Sequence, residues 1–494
     1  MSKWQELNQL ISQLSVSEKR MVSEQSDQHS DYYKLWDFCL RHPHATEQEA
    51  KLKLKWSGER KLSVSQSYLF DFILRVLGNF HIKNTSTGLI QEEMNQIEFL
   101  FLKGLIPVAN RNLLKLKTEC KQVEIFDALL QILALEQKII YITADLSKLE
   151  PLLSELQNEH LEILACLYEI QLYKNIFSKL YGKTQYLSPY EDNESKIISS
   201  DLLQILSQSI TPFKTKTGEY YVLMIQSNYF LYVLQYTKAQ EIASRAMELL
   251  ENNPYIWHHD PERLIETIRL LLRAAFYAEN YFFVLNLIEK GKTYLKNKKL
   301  PVFLANQLEI YFLHIELCAL GETHQWEKAA NLSPVIESTL NKMDGKTSLS
   351  YYIMLHYNLA QSELFVDRVS SALKRVHKIL TYRDLEMRQD GYLYTLLLQI
   401  LLLIQNEDWN LAEYKLRNAK RTFEEREKSD AFTKLLFQLL SDLIKNGTGK
   451  LFQDALLHFI HLMDSSENDP EIMKHLKFFD FRIWAKKMAG MKIS

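Results

Sequence analysis

Five stretches of this chain repeat one pattern, and the pattern suits helical hairpins better than any other unit. In VLQYTKAQEIASRA, Tyr236 precedes Ala239, Ala243 and Ala246; in AENYFFVLNLIEKG, Tyr281 precedes Val284, Ile288 and Gly291. HQWEKAANLSPVI carries Trp326, Ala329, Ser333 and Ile336; RVSSALKRVHKI carries Val369, Ala372, Val376 and Ile379; EDWNLAEYKLRNA carries Trp409, Ala412, Leu416 and Ala419. A bulky residue just after a turn wedges the pair apart, and a small residue three positions on lets two backbones approach. The positions four and seven beyond it continue one buried face at helical period. The Ala239-equivalents recur after 45, 45, 43 and 40 residues. An earlier instance, FLKGLIPVANRNLLKL, places Gly104, Ile106, Ala109, Leu113 and Leu116 on the same template.

Composition points the same way. The chain of 494 residues has 13 Gly and 10 Pro, about half the usual share of either. Hairpins of β-strands need residues that tolerate positive φ, so an all-β design is excluded and an all-α chain is expected. The stretch 1–84 does not repeat. It reads as short helices, with Ser15 or Ser17 capping one of them and HPHAT marking a break. A small helical N-terminal cap at 1–84 and a repeat array at 85–494 follow. About three further units are expected between the Gly104 instance and Ala239, with helices at 125–142 and 152–181 and a polar loop at 184–200. Two more helices and a closing segment with Phe478, Phe479, Phe481 and Trp484 are expected to seal the last apolar edge.

These segments resemble tetratricopeptide repeats, most clearly from about 217 to 425. The opening LISQLSVSEKR and the closing FDFRIW resemble a group of uncharacterised bacterial tetratricopeptide-like proteins. The resemblance implies a right-handed α-solenoid. The glycine that the family places at the tight turn is replaced here by Leu234, Glu279 and Glu407; Gly104 retains it. In such an array the first helix of each pair lines a concave groove that holds a partner. Stepping back from Tyr236 by the family's spacing gives Tyr221, Met224, Asn228 and Tyr232. Later units give Arg269, Arg273 and Tyr277, then Tyr311 and His314, then Met354, Tyr357 and Gln361. The candidate partner-binding set is Tyr221, Asn228, Tyr232, Arg269, Arg273, Tyr277, His314 and Tyr357. Arg269 and Arg273, four apart, point two guanidinium forks one way, which suits a carboxylate-rich peptide. Glu262 and Glu266 lie one turn away and are equally able to pair with them.

Chemistry is otherwise hard to find. GKT occurs at 182–184, 291–293 and 345–347, but the glycine that a phosphate loop needs five positions earlier is Phe177, Asn286 or Leu340. HExxH, GxSxG and dinucleotide-binding glycine patterns are missing. Asp454, His458 and His461 share a helix face and fit a core rim as well as a metal; Trp257-His258-His259-Asp260 and His42-Pro43-His44 read as loop and turn. Cys39, Cys120, Cys166 and Cys318 show no CxxC spacing. No cofactor, no metal and no catalytic residue are expected.

Net charge is −2, from 59 basic and 61 acidic residues, so nothing draws the whole chain to nucleic acid or an anionic membrane. KLKLKWSGERK at 51–61 is the strongest basic run, and a basic hairpin or wing there is the one nucleic-acid candidate. Its stretch 1–84 has 12 Lys/Arg against 10 Asp/Glu. The greasiest run, Leu396 to Ile404, is too short to span a membrane. The expected protein is a cytoplasmic, non-enzymatic adaptor that binds protein or peptide; the residues do not specify its oligomeric state. The alternative is a regulator whose N-terminal part contacts nucleic acid while the array senses a peptide.

Overall fold

The structure is a computed structural model. It describes residues 2–491 apart from 44, 57–58, 83–85, 187–212, 297–299, 344–347, 382–388, 427, 429, 466–468, 470–471, 473–474 and 477. Among the described residues the chain is all-α, with no strand. Contacts divide it into two compact units, Met1–Tyr168 and Glu169–Ser494. The boundary expected at 84–85 lies outside the described residues.

The first unit starts with α1 (Lys3–Gln13), α2 (Val16–Gln25), α3 (Asp31–Arg41), α4 (Glu47–Lys53) and α5 (Glu59–Ile82). Ser2 with Gln5, Ser15 with Glu18 and Thr46 with Glu49 form reciprocal capping boxes that start α1, α2 and α4. These helices bury Trp4, Leu7, Leu35, Trp36, Leu62, Leu69 and Ile73 in one core. A second core, with Met94, Leu113, Leu129, Ile132 and Ile163, belongs to α6 (Ser86–Leu102), α7 (Ile106–Gln122), α8 (Phe126–Thr143) and the start of α9. Helix α9 runs Leu146–Tyr186, with Pro151 in its second turn. The described residues between the Gly104 hairpin and 187 are thus two helices, one very long, rather than a run of short pairs. The loop expected at 184–200 lies outside the described residues from 187 onward.

The second unit holds the repeats. Their first helices are α10 (Lys216–Tyr232), α13 (Pro261–Tyr277), α15 (Val302–Glu322), α18 (Leu349–Phe365) and α20 (Gln389–Gln405). Their second helices are α11 (Tyr236–Asn252), α14 (Tyr281–Lys296), α19 (Val369–Leu380) and α21 (Trp409–Glu425). Short α12 (Tyr255–His258) leads into α13. The third repeat's second helix is broken into α16 (Trp326–Ala330) and α17 (Ser333–Met343). Pro334 explains the break, because it has no N–H for the Ala330 carbonyl and its ring crowds that turn. Each first helix packs on its own partner, and also on the first helix of the next repeat: α10 on α13, α13 on α15, α15 on α18, α18 on α20. By length and composition α15 is apolar enough to cross a membrane; its packing on α13, α14, α16, α17 and α18 accounts for that character.

The expected small-residue stripe is the buried one. Ala239, Ala243, Ala246, Val284, Ala329, Ala372, Ala412 and Ala419 are all fully buried. The Ser227 hydroxyl donates to the Ala239 carbonyl at 2.9 Å, which shows how closely the two backbones approach. Gly291 lies inside α14, where an added Cβ would stand 2.3 Å from the Phe312 ring. It is a packing glycine, not part of a phosphate loop. The GKT at 345–347 lies outside the described residues, apart from its neighbours.

The tight turns follow the template without its glycine. Leu234, Glu279, His324, Asp367 and Glu407 adopt φ of 60°, 57°, 54°, 61° and 57°. After each, the next N–H reaches back five residues: Gln235 to Phe230, Asn280 to Ala275, Gln325 to Leu320, Arg368 to Glu363 and Asp408 to Leu403, at 2.8–2.9 Å. This satisfies carbonyls that a helix end otherwise leaves bare. A side chain in that conformation costs about 1–2 kcal/mol. Leu234, an exposed apolar residue at such a turn, is the poorest fit. Leu234→Gly is therefore expected to stabilise the second unit by about 0.5–1 kcal/mol once glycine's extra unfolded-state freedom is subtracted. A urea midpoint that falls on substitution would refute this.

The bulky residue after each turn does not wedge only within its own hairpin. Tyr236 stacks on Tyr277 (5.3 Å) and Trp326 on Phe365 (4.3 Å), each at the C-terminal end of the next repeat's first helix. The aromatics bridge successive repeats.

After α21 come α22 (Ala431–Asn446), α23 (Lys450–Ser465) and α24 (Phe481–Met488). Phe481 and Trp484 are fully buried against this end of the unit, as the sealing role requires. Phe479 is buried beside them, and Phe478 lies half-buried against α20.

Candidate functional site

The left-handed turn residues give the repeats a common register. Thirteen, ten, six and two positions before each turn lies one stripe of a first helix, at the 3–4 spacing of a helix face. On α10 it holds Tyr221, Met224, Asn228 and Tyr232; on α13, Glu266, Arg269, Arg273 and Tyr277. On α15 it holds Tyr311, His314, Cys318 and Glu322; on α18, Met354, Tyr357, Gln361 and Phe365; on α20, Tyr394, Leu397, Leu401 and Gln405. Every candidate residue read from the sequence lies on this stripe.

Contacts run along the stripe from repeat to repeat. The Arg273 guanidinium donates to Asn228 Oδ1 at 2.9 Å, while the Asn228 amide nitrogen donates to its own helix at the Met224 carbonyl. Arg269 lies over the Tyr311 ring at 5.5 Å and reaches Gln307 Oε1 at 3.5 Å; the Tyr311 hydroxyl donates to the Arg269 carbonyl at 3.1 Å. His314 Nδ1 lies 3.5 Å from the Asn358 amide nitrogen, which donates to Cys318 Sγ at 3.2 Å. Tyr221, Asn228 and Tyr357 are buried, and Tyr232, Arg269, Arg273, Tyr277 and His314 are half-buried.

The two arginines take neither arrangement that their spacing allowed. They do not point together: Arg273 turns toward α10 and Arg269 toward α15. Nor do they pair with Glu262 or Glu266, since the partners of both among the described residues are neutral amide oxygens and an aromatic ring. Arg269 Nε is buried without a hydrogen-bond partner among the described atoms. Burial, reinforced by Asp260 and Glu262, pushes the Glu266 carboxyl up to about 7. Raised that far, Glu266 offsets the Arg269 charge less than an ordinary carboxylate does. This part of the stripe stays cationic.

Cys318 and His314 look like a nucleophile and base, but the chemistry is wrong. Burial, with Glu322 adding to it, pushes the thiol up to about 12, and the His314–Cys318 contact is long at 3.8 Å. A thiol held protonated is not a nucleophile at neutral pH. Among the described residues no three His, Cys, Asp or Glu side chains converge as a metal site.

On α18 and α20 the same stripe is covered by the chain itself. Phe478, in an irregular stretch before α24, offers its carbonyl to Tyr357 Oη at 3.2 Å and Gln361 Nε2 at 2.8 Å. Its ring stacks on Tyr394 at 4.3 Å, and Phe479 stacks on Phe365 at 5.8 Å. His475 sits between Tyr394 Oη (2.5 Å to Nδ1) and Asp430 Oδ2 (2.6 Å to Nε2). Burial opposes ionisation of Asp430, yet hydrogen bonds from His475 and Thr433 hold its carboxyl down at about 2. Lys487 closes the far side, donating to the Leu364 and Phe365 carbonyls at 2.9 Å. The sequence reading missed this strap. Tyr394 and Phe365 were recoverable from the register; that a segment more than 80 residues later lies on them was not.

The basic run at 51–61 forms no wing among the described residues. Lys51 and Lys53 lie on α4, paired with Glu47 (3.7 Å) and His42 (3.2 Å), and Lys61 pairs with Asp31 (2.9 Å).

No family model matches the chain, and no curated protein does. Among solved structures, the Rap conjugation gene regulator of the plasmid pLS20 in complex with the Phr* peptide is similar at a TM-score of 0.35 and 12% identity, over 81% of this chain and 96% of that one. At that score the similarity carries no argument about function.

Proposed function

We propose that the first-helix stripe of the second unit binds an extended segment of a protein or peptide partner, and that the protein is a cytoplasmic, non-enzymatic adaptor built as a right-handed solenoid of tetratricopeptide-like repeats. One observation carries the reading: this stripe already holds a non-helical segment, through the Phe478 carbonyl gripped by Tyr357 and Gln361. The same register positions on α13 and α15 are cationic and aromatic, with Arg269, Arg273, Tyr277, Tyr311 and His314. Guanidiniums whose partners among the described residues are neutral favour a partner carboxylate, because charge-assisted pairs are the stronger ones. An acidic segment with apolar side chains for the tyrosines suits this face.

The test uses 12-residue peptides selected against the whole protein by phage display. The selected sequences are expected to be rich in Asp and Glu, and Arg269→Glu with Arg273→Glu is expected to weaken their binding at least about ten-fold, or about 1.4 kcal/mol. Selected peptides without acidic bias, bound equally by the charge-reversed chain, would reject the reading.

A further inference from the structure

We infer that the strap of His475, Phe478, Phe479 and Asp480 is an intramolecular ligand, exchangeable with a partner segment that carries paired aromatic side chains. It sits at the register positions that elsewhere make up the proposed partner face: Tyr357, Gln361 and Phe365 on α18, and Tyr394 on α20. Two features set it apart from the core. It meets α18 through two side chains gripping one backbone carbonyl, a contact that any extended chain can make, while His475 ties its start to Tyr394 and Asp430. Its loose ring is Phe478, which stays half-buried on Tyr394, whereas Phe479, Phe481 and Trp484 are buried in the core.

The strap can therefore lift while α24 stays anchored. The regions that open first are those with few buried apolar contacts, and they do so at less than the cost of global unfolding. A tethered segment competes at an effective concentration on the order of millimolar. A partner must either exceed that or gain from contacts elsewhere on the stripe. The register continues without a break from α13 through α15 to α18, so a segment bound at Arg269 and Arg273 extends toward Tyr357 by displacing Phe478. The strap then raises the threshold for binding and selects partners with aromatic residues beyond the acidic ones.

The inference is tested without a foreign partner, so its failure would leave the Arg269–Arg273 reading standing. A fluorescein-labelled peptide of residues 472–488 is titrated with the full chain and followed by anisotropy. The chain carrying Phe478→Ala and Phe479→Ala is expected to bind it at least about ten-fold more tightly than the unaltered chain, because its own strap no longer competes. Adding Tyr357→Phe and Gln361→Ala to that chain is expected to remove the gain. Equal binding by the altered and unaltered chains overturns the inference. If the altered chain loses its helical circular dichroism, hydrogen exchange on the unaltered protein decides. The Phe478 and Phe479 amides are expected to exchange at least about 100-fold faster than those of Leu397–Leu401; exchange at the same rate shows that the strap opens only when the unit unfolds, and overturns the inference.

Discussion

Arg375→Met is expected to destabilise the second unit by about 3–5 kcal/mol, and Arg375→Met with Glu363→Leu to recover most of that loss. Arg375, on α19, is 5% exposed and Glu363, on α18, is 2% exposed. The arginine Nε lies 3.0 and 2.9 Å from the two Glu363 oxygens. Its Nη1 reaches Glu337 at 2.9 Å and its Nη2 donates to Ser333 at 2.6 Å, so one guanidinium ties α17, α18 and α19 together. Removing it strands the Glu363 carboxylate in a low-dielectric interior, with the Ser371 hydroxyl (2.9 Å) as its remaining described donor. The desolvation penalty already paid for that charge is then uncompensated. Removing both charges leaves an apolar contact, which is why the double substitution is the informative one. Urea unfolding followed by helical circular dichroism at pH 7 measures both. A double variant no more stable than the single one would show that the arginine contributes shape rather than charge compensation.

The same cluster sets the second large effect, a loss of stability on mild acidification. His356 is fully buried, edge-on to Tyr352 at 4.4 Å, with Nδ1 3.4 Å from Arg375 Nη1. Burial, then Lys378, pushes the imidazole down to about 4 from 6.5, with Glu337 opposing and Arg375 adding a smaller push. The folded protein thus keeps His356 neutral where the unfolded chain protonates it. Its contribution is fully present above about pH 6.5 and is lost as pH falls from there toward 4, a total of about 3 kcal/mol. His356→Leu is expected to flatten the stability profile over that window while leaving the loss below pH 4, where Asp430 protonates in the unfolded chain before it does in the folded one. An unchanged slope between pH 6.5 and 4 in the His356→Leu chain would refute the assignment.

Legibility varied with the range of the interactions involved. The repeat template, its 45-, 45-, 43- and 40-residue spacing and the buried small-residue stripe were all readable, because each rests on neighbours three or four apart in one helix. The candidate site was readable as a register for the same reason: counting back from the turn finds Arg269 and Arg273 whether or not glycine occupies the turn. Their orientation was not readable. Which way a guanidinium swings depends on Asn228 and Gln307, about 40 residues away on other helices. Between 125 and 186 the two expected helices, 125–142 and 152–181, match α8 and most of α9, but the turn of α9 before Pro151 was not read. A proline within the first turns of a helix removes few hydrogen bonds, so α9 runs through it.

Sequence by itself determined that the chain is helical, where its hairpins turn and which faces they bury, since scarce turn formers and helical periodicity are local physical constraints. Tertiary structure alone decided that Arg375 closes a buried charge cluster, that Arg269 and Arg273 diverge, and that Phe478 lies on Tyr357. Those pairings join segments 12 to 121 residues apart, and no local preference of the chain encodes a contact until folding has brought both sides together.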